Sequence, residues 1–332
     1  MLHDYFLAIA AWLFEGTPDG KRVLALKQAV VLGAAGFVGR HAARALAVAG
    51  YDVVGIGHGT WLRDEWRACG LREWHMADVT VETLSTYAGS PEILIQCAGS
   101  GSVAFSMTHP AQDFRRSVDP TLAALEFVRL QAPDCAIVLP SSAAVYGTVE
   151  RMPIATGDPL RPESPYGVHK VIAEELCRSY ARTFGVRAAI VRLFSVYGQG
   201  LRKQLLWDAC TRLTQAEPRF AGTGDELRDW LHVEDAAALL LAAGACATSA
   251  CPIVNGGTGA AASVRTIIEG LRLALAMGDQ PRFSGTRREG DPIGYEADIS
   301  EALHWGWRPR HELADGLAAY ARWFLEDHRV AG

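Results

Sequence analysis

A tyrosine and a lysine lie four residues apart in the segment Ser164-Pro-Tyr-Gly-Val-His-Lys170, and their types and spacing suit proton transfer. If the segment is helical, Tyr166 and Lys170 share one face about one turn apart. A free phenol titrates near pH ~10, and an ammonium group held close to it favours the phenolate, which makes it useful near neutral pH. The pair therefore indicates proton exchange with a hydroxyl or carbonyl group. The same spacing also occurs on ordinary amphipathic helices, so the pair needs support from the rest of the chain.

The elements that would position this pair alternate between apolar strands and amphipathic helices. Strands are predicted at residues 29–32, 51–56, 91–97, 135–140 and 187–194, and helices at 37–49, 111–130 and 166–184. This alternation predicts an α/β fold with a Rossmann-like, doubly wound parallel sheet over residues 28–195. In residues 196–332 the regular alternation of strands and helices ends. Helices are predicted there at 201–215, 233–247, 263–276 and 312–326. They indicate a smaller C-terminal lobe whose elements are free to interleave with the first region.

Composition limits the classes of function. The chain has 332 residues, of which 49% are hydrophobic and 21% charged, as in a soluble globular enzyme. A net charge of −5 without a lysine-rich run argues against nucleic-acid or anionic-membrane partners. The seven scattered cysteines include no Cys-x-x-Cys, which argues against a disulfide framework and a zinc site. They fit the reducing cytoplasm.

Residues 1–27 precede the first predicted strand as an N-terminal extension. The apolar stretch 5–14 is too short to span a bilayer, and it follows His3-Asp4 instead of a basic segment. We interpret it as an added amphipathic helix or a loosely docked extension and not as a signal peptide.

A glycine loop, Gly33-Ala-Ala-Gly36-Phe-Val-Gly39, follows the first strand and opens the first helix. Glycines at these positions permit a tight turn and bring backbone N–H groups close to a pyrophosphate at the helix N-terminus. The context predicts a dinucleotide site that includes Phe37 and Val38, with Cys97, Ala98 and Gly99 bordering the cofactor after the strand at 91–97.

The second strand indicates which dinucleotide binds. An acidic residue that bonds the adenosine ribose of NAD is expected at its end, where this chain has Gly57. Without that carboxylate a 2′-phosphate is not repelled, and His58 or Arg63 can contact one. The sequence therefore favours NADP(H) over NAD(H). Asp78-Val79 is expected to reach the adenine amino group, with a surface turn as the alternative.

Four motifs together resemble the extended short-chain dehydrogenase/reductase family, in its nucleotide-sugar epimerase, dehydratase and reductase branch. In order they are the glycine loop, Leu139-Pro-Ser-Ser-Ala-Ala-Val-Tyr-Gly147, Tyr166-x-x-x-Lys170 and Arg228-Asp-Trp-Leu-His-Val-Glu-Asp235. The resemblance runs from about residue 28 to residue 326.

The resemblance implies roles for particular residues. Ser142 would bond the reacting sugar oxygen, Tyr166 would be the general acid and base, and Lys170 would bind the nicotinamide ribose. On the substrate side it implies contacts from Ser195, Arg228 and Arg288, with Arg202 and Lys203 as further candidates for the diphosphate. Ser141, the hydroxyl next to Ser142, is a candidate for a substrate contact, but its place at the end of a strand favours a structural role. It also implies a homodimer through a four-helix bundle built from the helices at 111–130 and 166–184.

One departure narrows the reaction. The family's 4,6-dehydratases carry Asp-Glu directly after the hydroxyl residue, whereas this chain has Ala143 and Ala144. The resemblance thus implies hydride transfer at a sugar carbon, expected to be C4, and the two alanines predict that no dehydration accompanies it.

Three functions remain. The favoured one is an NAD(P)-dependent reductase of a nucleotide-linked 4-keto sugar, on the basis of Gly57. The alternative is a nucleotide-sugar 4-epimerase that holds NAD tightly, similar to UDP-glucose 4-epimerases. The remote alternative is a non-catalytic scaffold that senses NADP. The nucleotide and the sugar are decided by pocket shape.

Overall fold

The computed structural model describes residues 27–61, 64–286 and 294–331, which form an α/β protein around a large parallel sheet. The strands are β1 (Gln28–Leu32), β2 (Asp52–Gly57), β3 (Leu71–Met76), β4 (Ile93–Gln96), β5 (Ala136–Ser142), β6 (Arg187–Leu193), β7 (Ser195–Tyr197), β8 (Arg219–Phe220), β9 (Leu227–His232), β10 (Ile253–Gly256), β11 (Ala261–Ser263) and β12 (Arg282–Phe283). The helices are α1 (Phe37–Val48), α2 (Glu65–Ala68), α3 (Val81–Tyr87), α4 (Val103–Thr108), α5 (Pro110–Ser117), α6 (Asp119–Gln131), α7 (Pro165–Phe184), α8 (Gln204–Leu213), α9 (Val233–Cys246), α10 (Val264–Ala274), α11 (Ser300–His304) and α12 (Leu313–Ala331).

Within the described residues the large sheet has seven parallel strands in the order β10-β6-β5-β4-β1-β2-β3. Strand β1 lies between β2 and β4, so the chain reverses its direction of winding there. In open α/β sheets such a reversal leaves a crevice at the carboxyl ends of the strands, where ligands bind. The fold predicted from the sequence is confirmed.

Apolar side chains cover both faces of this sheet. On one face α1 and α9 pack through residues such as Leu46 and Leu240, and on the other α3, α6 and α7 pack through Leu84, Leu125 and Cys177. Six of the seven described strands of this sheet are almost wholly buried, as their apolar runs require, whereas the edge strand β3 is buried only at Leu71. The core therefore holds the carboxyl ends of β1, β4, β5 and β6 rigidly beside one another.

The helix predicted at 111–130 is in fact two helices, α5 and α6, separated at Val118. Pro120 lies in the first turn of α6, and proline is tolerated there because its missing N–H would have no partner inside the helix. Its ring prevents α5 from continuing in register.

A second lobe is built from β7, β9 and β11, the short pair β8 and β12, and helices α8, α10 and α12. Its apolar core includes Trp230, Leu271 and Phe324. Strand β10 returns from beyond residue 195 to pair with β6, and α9 also packs on the main sheet, so the two regions interleave.

Some predictions fall outside the described residues: the N-terminal stretch 5–14, Arg63 and Arg288. In the parts of the chain that are described, no helix has the length and apolar character needed to cross a membrane.

Candidate active site

A cleft of about 730 Å³ lies at the carboxyl ends of β1, β4 and β5 and extends to the second lobe. It starts at the glycine loop, passes Ser142 and Tyr166, and reaches Arg228. The charged side chains among its described lining residues are Lys170, Lys203 and Arg228, and that part of the lining contains no aspartate or glutamate. The cleft is therefore suited to a ligand that carries several negative charges.

The glycine loop is shaped for an anion. Gly33 has a positive φ of 71°, and a Cβ there would lie 2.7 Å from the backbone of Ala98. Gly39 packs against the carbonyl of Gly33. Gly36 begins α1 without a side-chain cap, and the first turn has no acidic residue. The N–H groups at this helix end are therefore free to bind a phosphate, so these residues fit the diphosphate of a dinucleotide.

At the expected adenosine end of the dinucleotide site, the structure gives a different explanation for the glycine at position 57. Gly57 has a φ of +146°, and a Cβ there would lie 3.0 Å from the Gly33 nitrogen. Backbone conformation and close packing thus account for glycine at this position. The absence of a carboxylate here is therefore not evidence that the site binds the 2′-phosphate of NADP. His58 Nε2 lies 2.6 Å from Asp78 Oδ1, so these two exposed side chains bind each other. Val79 packs against the core below them.

The loop after β4 forms the next part of the wall, where Cys97 and Gly99 line the cleft. The buried Gln96 side chain donates to the Ala98 carbonyl and accepts from its N–H, both at 3.1 Å, which holds the loop in place. Burial raises the pKa of the Cys97 thiol to about 12, so this cysteine stays protonated and is not a nucleophile. Sequence reasoning missed Gln96, because its role depends on how the loop folds back.

Ser142, Tyr166 and Lys170 all line the cleft. Ser142 ends β5, and its Oγ accepts a 3.2 Å hydrogen bond from the Ala144 N–H, which leaves its O–H free to donate. Ser164 caps α7 by accepting from Gly167, and this starts the helix just before Tyr166. Lys170 Nζ lies 5.8 Å from the centre of the Tyr166 ring and donates to the Pro140 carbonyl at 2.9 Å.

The proposed substrate residues divide into two groups. Ser195 and Arg228 line the cleft, and the Arg228 guanidinium lies 5.8 Å from the centre of the Tyr295 ring. Ser141 borders the cleft, but its hydroxyl donates to the buried Glu174 carboxylate at 2.6 Å, which commits it to the protein interior. The expected substrate contact from the Ser141 hydroxyl is thus corrected in favour of the structural role that its place at the end of the strand had suggested.

Arg202 is the second correction. Its guanidinium binds the Asp327 carboxylate at 2.9 Å and lies over Trp323, outside the cleft lining. Its neighbour Lys203 instead lines the cleft. The sequence cannot show which of two adjacent basic side chains lines the cleft, because the orientation of each depends on partners that are distant in the chain.

A cluster of charged groups joins the start of α9 to the segment before α12. His311 Nδ1 lies 3.1 Å from Asp235 and its Nε2 lies 3.2 Å from Glu234, while its ring stacks on His232 at 4.1 Å. Hydrogen bonds to Asp235 and Glu234 raise the pKa of His311 to about 9, whereas burial lowers the pKa of His232 to about 4.

Donor atoms of His232, Glu234 and His311 lie within 4.8 Å of one another. Both ring nitrogens of His311 already face carboxylates, at 3.1 Å from Asp235 and 3.2 Å from Glu234, so the group is better described as an ion-pair cluster than as a metal site. The cluster ties the segment before α12 to the start of α9.

Comparison with known proteins identifies the family. Residues 29–252 match the model of the NAD dependent epimerase/dehydratase family. The chain belongs to this family. The resemblance to the extended short-chain dehydrogenase/reductases, in their nucleotide-sugar branch, is thereby confirmed.

Relatives of this family member are similar over nearly their whole length. The UDP-glucose 4-epimerase of Azospirillum brasilense is 31% identical, covering 88% of this chain and 90% of that protein. A Stenotrophomonas maltophilia UDP-glucose 4-epimerase, solved with NAD and formylated UDP-arabinopyranose, has a TM-score of 0.81 at 25% identity, over 92% of this chain and all of that one. A Bacillus cereus UDP-glucuronic acid 4-epimerase, solved with UDP-glucuronic acid and NAD, has a TM-score of 0.79 at 25% identity, over 90% and 99% of the two chains.

Proposed function

We propose that this family member is a nucleotide-sugar 4-epimerase that uses NAD and acts on a UDP-linked sugar. The observation that carries the proposal is that Ser142, Tyr166 and Lys170 line the same cleft as the glycine loop and Arg228. The relatives support the alternative function inferred from the sequence better than the 4-keto-sugar reductase that the sequence favoured. The backbone explanation for Gly57 removes the main reason for preferring NADP.

The catalytic residues of this proposal handle the proton of the C4 hydroxyl. The free O–H of Ser142 orients the C4 oxygen, and Tyr166, acting as the phenolate, takes the hydroxyl proton to become the phenol and later returns it. The Lys170 ammonium lies 5.8 Å from the centre of the Tyr166 ring, where its positive charge faces the oxygen chemistry of that side chain. NAD held along the glycine loop would supply the acceptor and the donor of the C4 hydride. Epimerisation follows when the hydride returns to the opposite face of the sugar ring, with no net oxidation.

We expect the sugar end of the cleft to leave room for the ring to turn. Small residues are frequent in the described lining, among them Ser100, Gly101, Ser102, Ala104 and Ala144. Small side chains let the ring present either face of C4 to the same catalytic groups while Arg228 holds the diphosphate through its planar fork.

Dehydration does not fit these residues. Elimination of water needs an acid and a base near the sugar, and Ala143 and Ala144 lack titratable groups. The described lining of the cleft offers no carboxylate in their place.

The proposal extends to assembly and location. Exposed apolar side chains lie on the outer surfaces of α6 and α7, among them Leu122, Leu130, Val168 and Phe184. Pairing these helices with their copies in a second subunit would bury this surface in a four-helix bundle, so we expect a homodimer. The seven cysteines, all within the described residues, are free, which fits a cytoplasmic enzyme.

The test begins with the native protein. Denaturation of the purified protein is expected to release about one NAD per subunit, which mass spectrometry identifies. UDP-glucose and UDP-glucuronate are then incubated separately with the protein in deuterated water, and the products are analysed by NMR. A 4-epimer without deuterium at C4 and without net NADH formation supports the proposal, because the hydride never leaves the site. Net consumption of NADPH with a 4-keto sugar, and no epimer from any nucleotide sugar, would overturn it in favour of the reductase.

A further inference from the structure

Glu174 lies on the same face of α7 as the catalytic pair. Tyr166, Lys170 and Glu174 are spaced four residues apart, so they form one row along the helix. Glu174 is about 12 Å further along the axis than Tyr166. Its side chain is fully buried against the sheet, where an unpaired carboxylate would be strongly disfavoured.

This carboxylate contacts two adjacent strands at once. It accepts from the Ser141 hydroxyl at 2.6 Å and from Arg192 Nη2 at 2.7 Å and Nε at 3.0 Å. Ser141 and Arg192 are direct neighbours in the pairing of β5 with β6. Glu174 therefore attaches the catalytic helix to the end of β5, one residue before Ser142.

Arg192 also holds the chain on the other side of Ser142. Its Nη1 donates to the Tyr146 hydroxyl at 2.9 Å and to the Thr156 carbonyl at 2.8 Å. The Tyr146 hydroxyl in turn donates to Asn255 on β10 at 2.7 Å. Ser142 thus lies between two residues, Ser141 and Tyr146, that are both attached to the same ion pair.

We infer that the buried pair Glu174–Arg192 is a positioning device that sets the distance between Ser142 and Tyr166. Because neither side chain lines the cleft, the pair acts through Ser141 and α7 and not on substrate. The inference rests on the proposed function, since it takes Ser142 and Tyr166 as the catalytic groups. A rigid arrangement of this kind matters because small displacements of catalytic groups slow a reaction steeply.

The test removes one link and keeps the ion pair. Ser141→Ala deletes the hydroxyl bond to Glu174 but leaves Arg192 and Glu174 together, so the fold is expected to persist. We expect kcat for epimerisation to fall about 10-fold with KM unchanged. The kinetic isotope effect with C4-deuterated substrate should increase, because hydride transfer becomes the slow step. Ser141→Thr restores the hydroxyl and should recover most of the rate.

A matched control lies on the same helix. His169 Nδ1 binds the fully buried Asp113 at 2.5 Å, and neither residue is part of the described lining of the cleft. Asp113→Asn should lower the thermal midpoint without changing kcat or the isotope effect. Glu174→Gln leaves Arg192 without a counter-charge, so it should lose both stability and kcat.

The outcomes separate the inference from the proposed function. If Ser141→Ala and Glu174→Gln fold and turn over as fast as wild type, while Tyr166→Phe is inactive, the positioning role is wrong and the function stands. If Tyr166→Phe retains full epimerase activity, the proposed function itself fails. An equal fall of kcat in Asp113→Asn would also refute the inference, because the effect would then be general loosening of α7.

Discussion

Gly167 lies where the catalytic helix touches the turn that follows Ser142. It immediately follows Tyr166, and a Cβ at this position would lie 2.7 Å from the Ala144 carbonyl oxygen and 2.9 Å from Pro162 Cβ. Both obstacles belong to rigid parts of the chain, a backbone oxygen and a proline ring. Gly167→Ala must therefore move the start of α7 away from the turn that carries Ser142.

The size of the movement follows from these distances. Ordinary van der Waals contact begins near 3.4 Å, so relief of the contact with Ala144 requires about 0.7 Å of displacement. A displacement of about 1 Å can cost about 100-fold in rate, so we expect kcat to fall about 10- to 50-fold. Crowding costs about 1–3 kcal/mol of stability, and the higher helix propensity of alanine offsets about 1 kcal/mol of that. The protein should remain folded.

Gly270→Ala is the matched control. This helical glycine on α10 would also place a Cβ 2.7 Å from a neighbour, but the neighbour is the flexible end of Leu317 in the second lobe. We expect wild-type kcat from it. Coupled-enzyme measurements of kcat and KM, with thermal unfolding of both variants, test the comparison. A Gly167→Ala enzyme within twofold of the wild-type kcat, or an equal loss in Gly270→Ala, would refute the reasoning.

Three further predictions concern the site and its surroundings. Tyr166→Phe should lower kcat by about 10²- to 10⁴-fold while NAD still co-purifies, since only the acid and base group is lost; rates and cofactor content check this. Arg228→Met should raise KM for a nucleotide sugar about 10-fold or more, whereas Arg202→Met should not, because Arg202 is bound to Asp327; equal KM changes would contradict the assignment. The folded protein keeps the His311 proton to about pH 9, but the unfolded chain releases it near about pH 6.5, so this stabilisation is complete below the lower value and lost on approaching the higher one. After allowance for solvent screening, the free energy of unfolding should fall by about 1–2 kcal/mol over that interval, and urea titrations should show a flatter profile for His311→Gln.

Much of the site could be predicted from local sequence. The spacing of Tyr166 and Lys170 expresses helix periodicity, and the glycine loop expresses the conformations that only glycine adopts readily. Such features depend on residues close in the chain. The order of the four motifs then indicated the family, and the alternation of strands and helices predicted the parallel sheet.

Other features needed the folded chain. Arg202 and Lys203 are adjacent and equally charged, yet Asp327, far along the sequence, binds one of them and leaves the other in the cleft. Gly57 was interpreted as a sign of the cofactor, but its positive φ and its packing against Gly33 account for its identity.

The sequence by itself determined which groups can carry out the chemistry, because residue type and short-range spacing decide what Tyr166, Lys170 and Ser142 can donate or accept. Only the tertiary structure decided which hydrogen-bond partners the residues next to them have. Ser141 and Ser142 are the same residue type in consecutive positions, and strand geometry turns them to opposite sides. One hydroxyl is consequently buried on Glu174, and the other faces the cleft.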